Sequence, residues 1–588
     1  MSGFAGIIRL DGRPADAADG ARLRSAIAHR GGDANGAWSE GSALLVHAML
    51  QTTPESRAEP QPHVEADIVV AADIRLDASS GDAALVAAAY RRWGADCARH
   101  LDGDFAFALF DRATRSLVCA RDAFGVKPLV YAHVPGKLFA FASEVRALLA
   151  LAEVPRDVDE KRIADFLSIH FDDFERTFFR AIRRLPGGCT LTLRDGTPKV
   201  TRWWSPEQIR PLPRATDAEY AEGFREHFVR AVRACMRVPD VSQLGAMLSG
   251  GLDSSAIACT ARDELAGTAP LPVFSWIFSD VPEADEREYQ EVVAASGGFT
   301  RHVIDSATAS FSPWSDLERL LPDGPPYAPN HYLNHGAATI ARSLGIRTML
   351  DGLGGDSSIS RGGARFVELF VRGRALTLVR ELRAFAAVNG GSASRTFVTH
   401  VLAPLTPPSA FRLYRAIRRR PQSDGHVRFE PHLSVRSEHI AHLQSPMLAE
   451  GLELFDRVMA LAGVEGRYPF FDRRLVEYCV SLPADQKLAG GYSRVVARRA
   501  MAGVVPDAVR WRNGKGKPGL HIITALRADH ATLDDLFLRE PDVLAPYIDI
   551  DALRDVYRGF LEARSPDLLT AVRLWSAAAT GLWLRQLG

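Results

Sequence analysis

The sequence predicts an α/β protein of two domains, stacked antiparallel sheets first and a parallel sheet wrapped by helices second. Three observations predict it. The first 200 residues break into short strand-like runs separated by turn residues. A polar stretch at 205–217 carries three prolines and reads as a linker. Beyond it, strand and helix patterns alternate. At 588 residues the chain is also too long for a single hydrophobic core.

The early strand-like runs lie at 4–10, 43–50, 68–74, 105–110, 117–121, 129–132 and 138–142, with helical patterns at 19–29 and 82–93. After the linker, a helix at about 218–237 leads to a strand at 244–248, a glycine loop and a helix at 254–265. Strand 272–278, helix 285–295, strand 301–304, helix 332–344 and strand 347–350 continue the rhythm. Such alternation favours a parallel sheet with its ligand site at the carboxyl ends of the strands.

Bulk properties exclude several classes. Lys plus Arg equals Asp plus Glu at 71 each, so overall charge points to no nucleic acid or other charged partner. No secretory signal opens the sequence, and no uncharged apolar run is long enough to span a bilayer. The apolar C-terminal stretch is interrupted by Arg573 and is expected to be a buried helix, so no integral membrane association is expected. The six cysteines are scattered without C-x-x-C pairs, which argues against zinc and disulfide frameworks and for a reducing cytoplasm.

The sharpest motif is Leu248-Ser249-Gly250-Gly251-Leu252-Asp253-Ser254-Ser255, between a predicted strand and a predicted helix. Glycines let the backbone approach a phosphate, and a helix N-terminus offers unpaired N–H groups to an anion. It is not a Walker A loop, because no Gly-Lys-Ser/Thr follows. The plainer alternative is a glycine turn with a capped helix. A second loop, Asp351-Gly352-Leu353-Gly354-Gly355-Asp356, follows another strand. If the two strands are neighbours, Asp253 and Asp356 can share Mg²⁺, which takes a few carboxylates plus phosphate oxygens.

The first string resembles the pyrophosphate-binding loop of the N-type ATP pyrophosphatases, which cleave ATP between the α and β phosphates. More widely, the chain is similar to glutamine-dependent (class B) asparagine synthetases. The N-terminal matches are His29–Asp33, Asp102–Phe107, Arg121–Leu129 and Phe141–Glu144, and the C-terminal match is Gly463–Asp472. The resemblance implies an N-terminal Ntn-type αββα sandwich over 1–205 and an ATP pyrophosphatase domain of the adenine nucleotide α-hydrolase type over 206–588. It implies ATP and Mg²⁺ as cofactors, and places adenine on the strand around Ser275 and Trp276, with Asp351 and Gly352 beside the nucleotide.

The departures from the family are informative. Its glutaminases use a cysteine at position 2, where this chain has Ser2. The Asn-Gly pair of the oxyanion hole aligns with Ala71-Ala72, and the arginine that clamps the glutamine carboxylate aligns with Met49. A serine hydroxyl without a base is a poor nucleophile, and one lost oxyanion donor costs about 10²–10³ in rate. The N-terminal domain therefore reads as a degenerate glutaminase. The remaining alternative, an N-terminal serine hydrolase, would have to act through Ser2 alone.

A synthetase without glutaminase must draw its amine from elsewhere. Two kinds of relative do so: β-lactam and carbapenam synthetases, and lasso peptide cyclases. Residues 356 and 464 lie further apart than in asparagine synthetases, which implies an insertion at about 361–436. It carries about fourteen arginines against about four acidic residues, densest at Arg418-Arg419-Arg420. A solvated helical surface would look like this, and so would a docking face for a peptide or partner protein. Near the C-terminus, Trp511–His521 is glycine-rich and cationic, where the family places a lysine on ATP phosphate. Lys517 is preferred over Lys515 because Lys517-Pro518-Gly519-Leu520-His521 resembles the string around the catalytic lysine of β-lactam synthetase. Pro518 also restricts the residue before it. Arg467 and Asp472 are expected either to shape the same cleft or to form a buried structural pair.

The expected function is an AMP-forming amide ligase of the lasso peptide cyclase type, acting on a precursor peptide with a leader peptidase as partner. The alternatives are a β-lactam-type or ammonia-dependent small-molecule synthetase, and a non-catalytic scaffold.

Overall fold

The computed structural model describes the chain apart from residues 79, 309–311, 315, 316, 407–431, 515 and 588. The N-terminal part holds two six-stranded antiparallel sheets. The first runs in the order β10-β8-β9-β1-β3-β2, built from β1 (Gly3–Arg9), β2 (Ala34–Glu40), β3 (Ala43–Met49), β8 (Val130–Val134), β9 (Leu138–Ala142) and β10 (Ile182–Arg184). The second runs β12-β11-β7-β6-β5-β4, from β4 (His63–Glu65), β5 (Ile68–Leu76), β6 (Gly103–Asp111), β7 (Ser116–Arg121), β11 (Cys189–Arg194) and β12 (Thr197–Arg202).

One face of each sheet meets the other through Phe4, Leu45, Val69, Phe110, Phe139 and Phe141. Helix α1 (Ala17–Ile27) covers the outer face of the first sheet and α2 (Asp82–Trp93) that of the second. Alternate residues of β5 thus face different cores: Val69 and Ala71 point between the sheets, Val70 and Ala72 toward α2. This is the expected αββα sandwich.

Residues 205–216 carry only a short 3₁₀ turn (Pro206–Gln208) before α3 (Asp217–Cys235). The start of α3 is set by a capping box, in which the Thr216 side chain accepts from the Glu219 N–H and Glu219 reaches back to Thr216. A five-stranded, wholly parallel sheet follows in the order β15-β14-β13-β16-β17. Its strands are β13 (Leu244–Met247), β14 (Leu271–Ile277), β15 (Phe299–Asp305), β16 (Thr348–Leu350) and β17 (Glu465–Arg467). Helices α4 (Leu252–Glu264), α5 (Arg287–Ala294) and α6 (His331–Ser343) link them, and α7 (Gly355–Ile359) opens after β16.

The insertion is helical over its described part: α8 (Arg365–Val371), α9 (Ala375–Asn389) and α10 (Ala393–Phe397), before α11 (Pro446–Leu461) returns to the sheet. A two-stranded hairpin, β18 (Leu488–Ala489) and β19 (Tyr492–Ser493), precedes helix α12 (Val495–Ala500). The apolar C-terminal stretch forms α13 (Leu568–Leu587), which packs Trp575 and Trp583 into the core under the N-terminal sandwich. Among the described residues, no helix is long and apolar enough to cross a membrane.

Candidate functional site

β13 and β16 are hydrogen-bonded neighbours, so the loops that follow them emerge side by side. The first turns sharply at Gly250 (φ +79°), where a Cβ would press on the backbone of Glu286 and Gln290. Ser249 and Ser254 close the loop: the Ser249 N–H donates to Ser254 Oγ at 3.1 Å, and the two hydroxyls lie 2.9 Å apart. Gly251 is the N-cap of α4 and has no side chain to cap it. The first N–H groups of this thirteen-residue helix are therefore available to an anion. The second loop lies directly against the first. A Cβ on Gly352 would meet the Ser254 backbone, and one on Gly355 the Asp253 carboxylate.

Asp253 and Asp356 converge, with Arg494 between them. One guanidinium nitrogen of Arg494 lies 2.6 Å from Asp253 Oδ2 and 2.9 Å from Asp356 Oδ1. Arg361 also pairs with Asp356. Arg494 is buried just after the β18–β19 hairpin, with a positive φ of 54°. Burial opposes its charge, but Asp253 and then Asp356 hold its pKa above the ordinary arginine value. Two carboxylates that already share one cation fit a divalent metal whose other ligands are phosphate oxygens. Among the described residues, no group of three or more His, Cys, Asp or Glu side chains forms a metal site by itself.

Beside the loops, β14 runs on past the end of β13. The Leu248 N–H bonds to Phe274 O at 2.8 Å, which leaves Ser275 and Trp276 beyond that rung. Ser275 is fully buried, Trp276 donates its indole N–H to Leu333 O, and Trp276 O accepts from Gln290. Asp351 accepts the Leu353 N–H, and its own N–H bonds to Arg467 O. Burial raises the Asp351 carboxyl above the usual range.

The cationic segment closes over the same loops. Arg512 donates to Gly250 O at 3.3 Å, pairs with Glu286 at 2.5 Å and lies over the Tyr289 ring. The Gly516 N–H bonds to Glu286, and the Lys517 N–H to Glu283 O at 2.9 Å, while the Lys517 side chain is exposed. Lys515 and Arg418-Arg419-Arg420 lie outside the described residues. The sequence reading overlooked Arg494; its signal was an arginine after a Gly-Gly-Tyr-Ser turn, with nothing to say what it would face.

The side chains of Arg467 and Asp472 do not enter this cleft, which corrects one of the two expectations for them. Arg467 is buried, pairs with Glu465 at 2.8 Å and donates to the carbonyls of Thr52, Cys235 and Arg237, so it joins the two parts of the chain. Asp472 caps the helix Arg473–Ser481 and pairs with Arg474.

At the N-terminal site, Ser2 Oγ accepts from the Leu50 N–H and lies 3.6 Å from Met49 Sδ. The Ala72 N–H donates to Gln61 Oε1 at 2.7 Å, and Ala71 is sealed in the core between the sheets. The backbone donor beside the serine is thus already in use.

A family model described as asparagine synthase matches residues 223–585, more than half of the chain. This chain belongs to the asparagine synthase family. A second model, described as a glutamine amidotransferase domain, matches 71–204. The asparagine synthetase [glutamine-hydrolyzing] 3 of Bacillus subtilis (strain 168) is 24% identical over 543 residues, covering 85% of this chain and 84% of that one. A putative asparagine synthetase of Mycobacterium tuberculosis (strain ATCC 25618 / H37Rv) is 36% identical over 190 residues, 31% of this chain and 29% of that protein. The alignment thus spans under a third of the mycobacterial relative and most of the Bacillus one.

Proposed function

We propose that the chain is an ATP-dependent, AMP-forming amide ligase that closes a peptide on itself, as lasso peptide cyclases do. We divide it into a degenerate glutaminase domain at 1–205 and a ligase domain at 206–588. The observation that carries the ligase reading is the convergence of Asp253, Asp356 and the uncapped start of α4 on one point. A carboxylate oxygen of an Asp or Glu side chain in the precursor peptide attacks the α-phosphorus of ATP. That P–O bond forms as the bond to the β-phosphate breaks, and pyrophosphate leaves. The peptide's N-terminal amine then attacks the acyl carbon, its nitrogen gives up one proton to solvent, the amide forms, and AMP departs with the bonding pair.

The chain's own part is mostly positioning, because both reacting groups belong to one substrate. The N–H groups at the start of α4 and the hydroxyls of Ser249, Ser254 and Ser255 bind phosphate oxygens. Asp253 and Asp356 would hold Mg²⁺, which would offset phosphate charge when bound. Lys517 or Lys515 adds a cation where charge develops. Ser275, Trp276, Asp351 and Gly352 frame the nucleoside side. Occupation of Ser2 Oγ and the Ala72 N–H supports an amine source other than glutamine. A leader peptidase would expose the peptide amine, and six free, buried cysteines suit a reducing cytoplasm.

The test is ATP–pyrophosphate exchange, with AMP and amide detected directly, using a candidate precursor peptide. AMP and pyrophosphate are expected, with activity abolished in Asp253→Ala and Asp356→Ala and unaffected by glutamine. ADP and phosphate as products would exclude the adenylate route. Exchange with small amino acid derivatives but not with peptide would move the reading to a β-lactam-type synthetase, and turnover with ammonia to an ammonia-dependent one.

A further inference from the structure

Helix α9 in the insertion has two differently occupied faces. Its inner face holds the loops of the nucleotide site. Glu381 accepts the Gly490 N–H at 2.8 Å, Asn389 donates to Gly491 O at 3.0 Å, and Val388 O accepts from Asn513 of the cationic segment. Gly491 lies three residues before Arg494.

Among the described residues, nothing covers the outer face. Leu376 is 91% exposed, Val379 follows one turn later, and Phe370 and Val371 at the end of α8 are also exposed. Val398 and Leu402, from the turn that follows α10, are about half exposed, and Phe370 touches Phe397. Exposed apolar groups that meet across packed neighbouring elements mark an interaction surface, whereas single scattered ones do not.

The exposed charges beside them are positive, although Arg372 also pairs with the buried Glu368 and Arg380 with the buried Glu381. Arg372, Arg374, Arg380, Arg383 and Arg395 are all exposed. The one acidic residue between 370 and 406 is Glu381, and it is buried against the hairpin. Arg380 and Arg383 share the outward face with Leu376 and Val379 by helical spacing.

We propose that this face docks a separate protein, through a segment that presents acidic side chains among apolar ones. Charge complementarity names the partner's chemistry. A second copy of this chain is the wrong occupant, because two-fold pairing of the face would set arginine against arginine. An anionic membrane fits less well. The apolar groups are spread over several short elements, with no single amphipathic helix to lie in a bilayer plane, and the whole chain has no net positive charge. The docking surface goes beyond the ligase reading, and its inner-face contacts place the partner one helix away from Arg494.

The test uses the full chain and a fluorescent, twenty-residue amphipathic helical peptide with glutamates on one face and leucines on the other. Saturable binding is expected at low salt, weakened at least tenfold in Leu376→Ser/Val379→Ser and in Arg380→Glu/Arg383→Glu. Arg558→Glu, an exposed arginine on a distant helix, should bind as wild type does. No saturable binding, or equal binding by all variants, would overturn the proposal. So would sedimentation with phosphatidylglycerol-containing vesicles, or self-association, that these same variants abolish. Circular dichroism and Mg²⁺-ATP binding of each variant report fold and nucleotide site separately. A wild-type chain that binds the peptide but not ATP would leave docking standing and sink the ligase reading alone.

Discussion

On the proposed reading, Arg494 stands where the Mg²⁺ of a bound nucleotide would sit. Its guanidinium pairs with both Asp253 and Asp356, so Mg²⁺-ATP bound as proposed would compete with it for both carboxylates. Arg494→Met removes the competitor. Mn²⁺, followed by electron paramagnetic resonance without ATP, should then bind at least tenfold tighter than in wild type. Equal affinity in the two proteins would mean that Arg494 does not oppose the metal. The two loop lysines divide differently. The Lys517 backbone is tethered to Glu283 while its side chain is exposed. Lys517→Met should lower single-turnover rates by about 10² or more, the scale of a lost transition-state contact. Lys515→Met should cost far less, and the reverse order would reassign the role.

A third residue gives a pH signature. Burial pushes the Asp82 carboxyl from 3.8 up to about 7, against the help of the Leu76 N–H. A carboxyl with a raised folded pKa binds its proton more tightly in the folded state. Its stabilising contribution is therefore complete below pH 3.8 and is lost as pH rises through 7. Asp82→Asn cannot lose it. The Tm of the variant should gain on wild type between pH 5 and pH 8, and a constant difference would show that Asp82 ionises normally.

At the scale of elements, the strand–loop–helix unit was the most legible part of the sequence. Ser249–Ser255 announces a turn and a helix start by residue type alone, because few other residues tolerate the Gly250 geometry. Gly250→Ala places a methyl 3.0 Å from the Gln290 backbone nitrogen at a positive φ. Mg²⁺-ATP affinity should fall at least tenfold while far-UV circular dichroism is unchanged; unaltered affinity would return the loop to a simple turn. The edge strands of the two N-terminal sheets were not legible. β2 reads Ala-Asn-Gly-Ala-Trp-Ser-Glu, is largely exposed and has no apolar alternation, yet pairs with β3 over its whole length. Its conformation comes from the neighbouring strand's free backbone groups, and no local pattern encodes that. The exposed β12 was missed for the same reason.

At the scale of the whole molecule, the N-terminal domain is tied to the ligase domain by buried charge. Arg30 donates to Glu144 and Asp456 at 2.6 Å each, and Lys127 to Glu465 at 2.7 Å. Arg184 pairs with Glu450 and Glu453. Glu465 also pairs with Arg467, whose carbonyl holds the Asp351 N–H, so the N-terminal part of the chain braces the loop after β16. Breaking a buried pair from one side costs about 3–5 kcal/mol, because the other charge stays desolvated. Lys127→Met should lower unfolding free energy by about that amount in urea titration. A loss under about 1 kcal/mol would show that Arg467 alone satisfies Glu465.

By itself the sequence determined the fold class, the order of the two parts and both glycine loops. All of these rest on local backbone chemistry and on the pattern of residue types along the chain. Tertiary structure alone decided that Arg494 bridges Asp253 and Asp356, that Arg467 serves the domain junction, and that Gln61 takes the Ala72 N–H. Each is a contact across tens to hundreds of residues, fixed by how sheets and loops pack. Local propensity is silent about such partners, because a side chain's charge says what it needs and only the fold says what it meets.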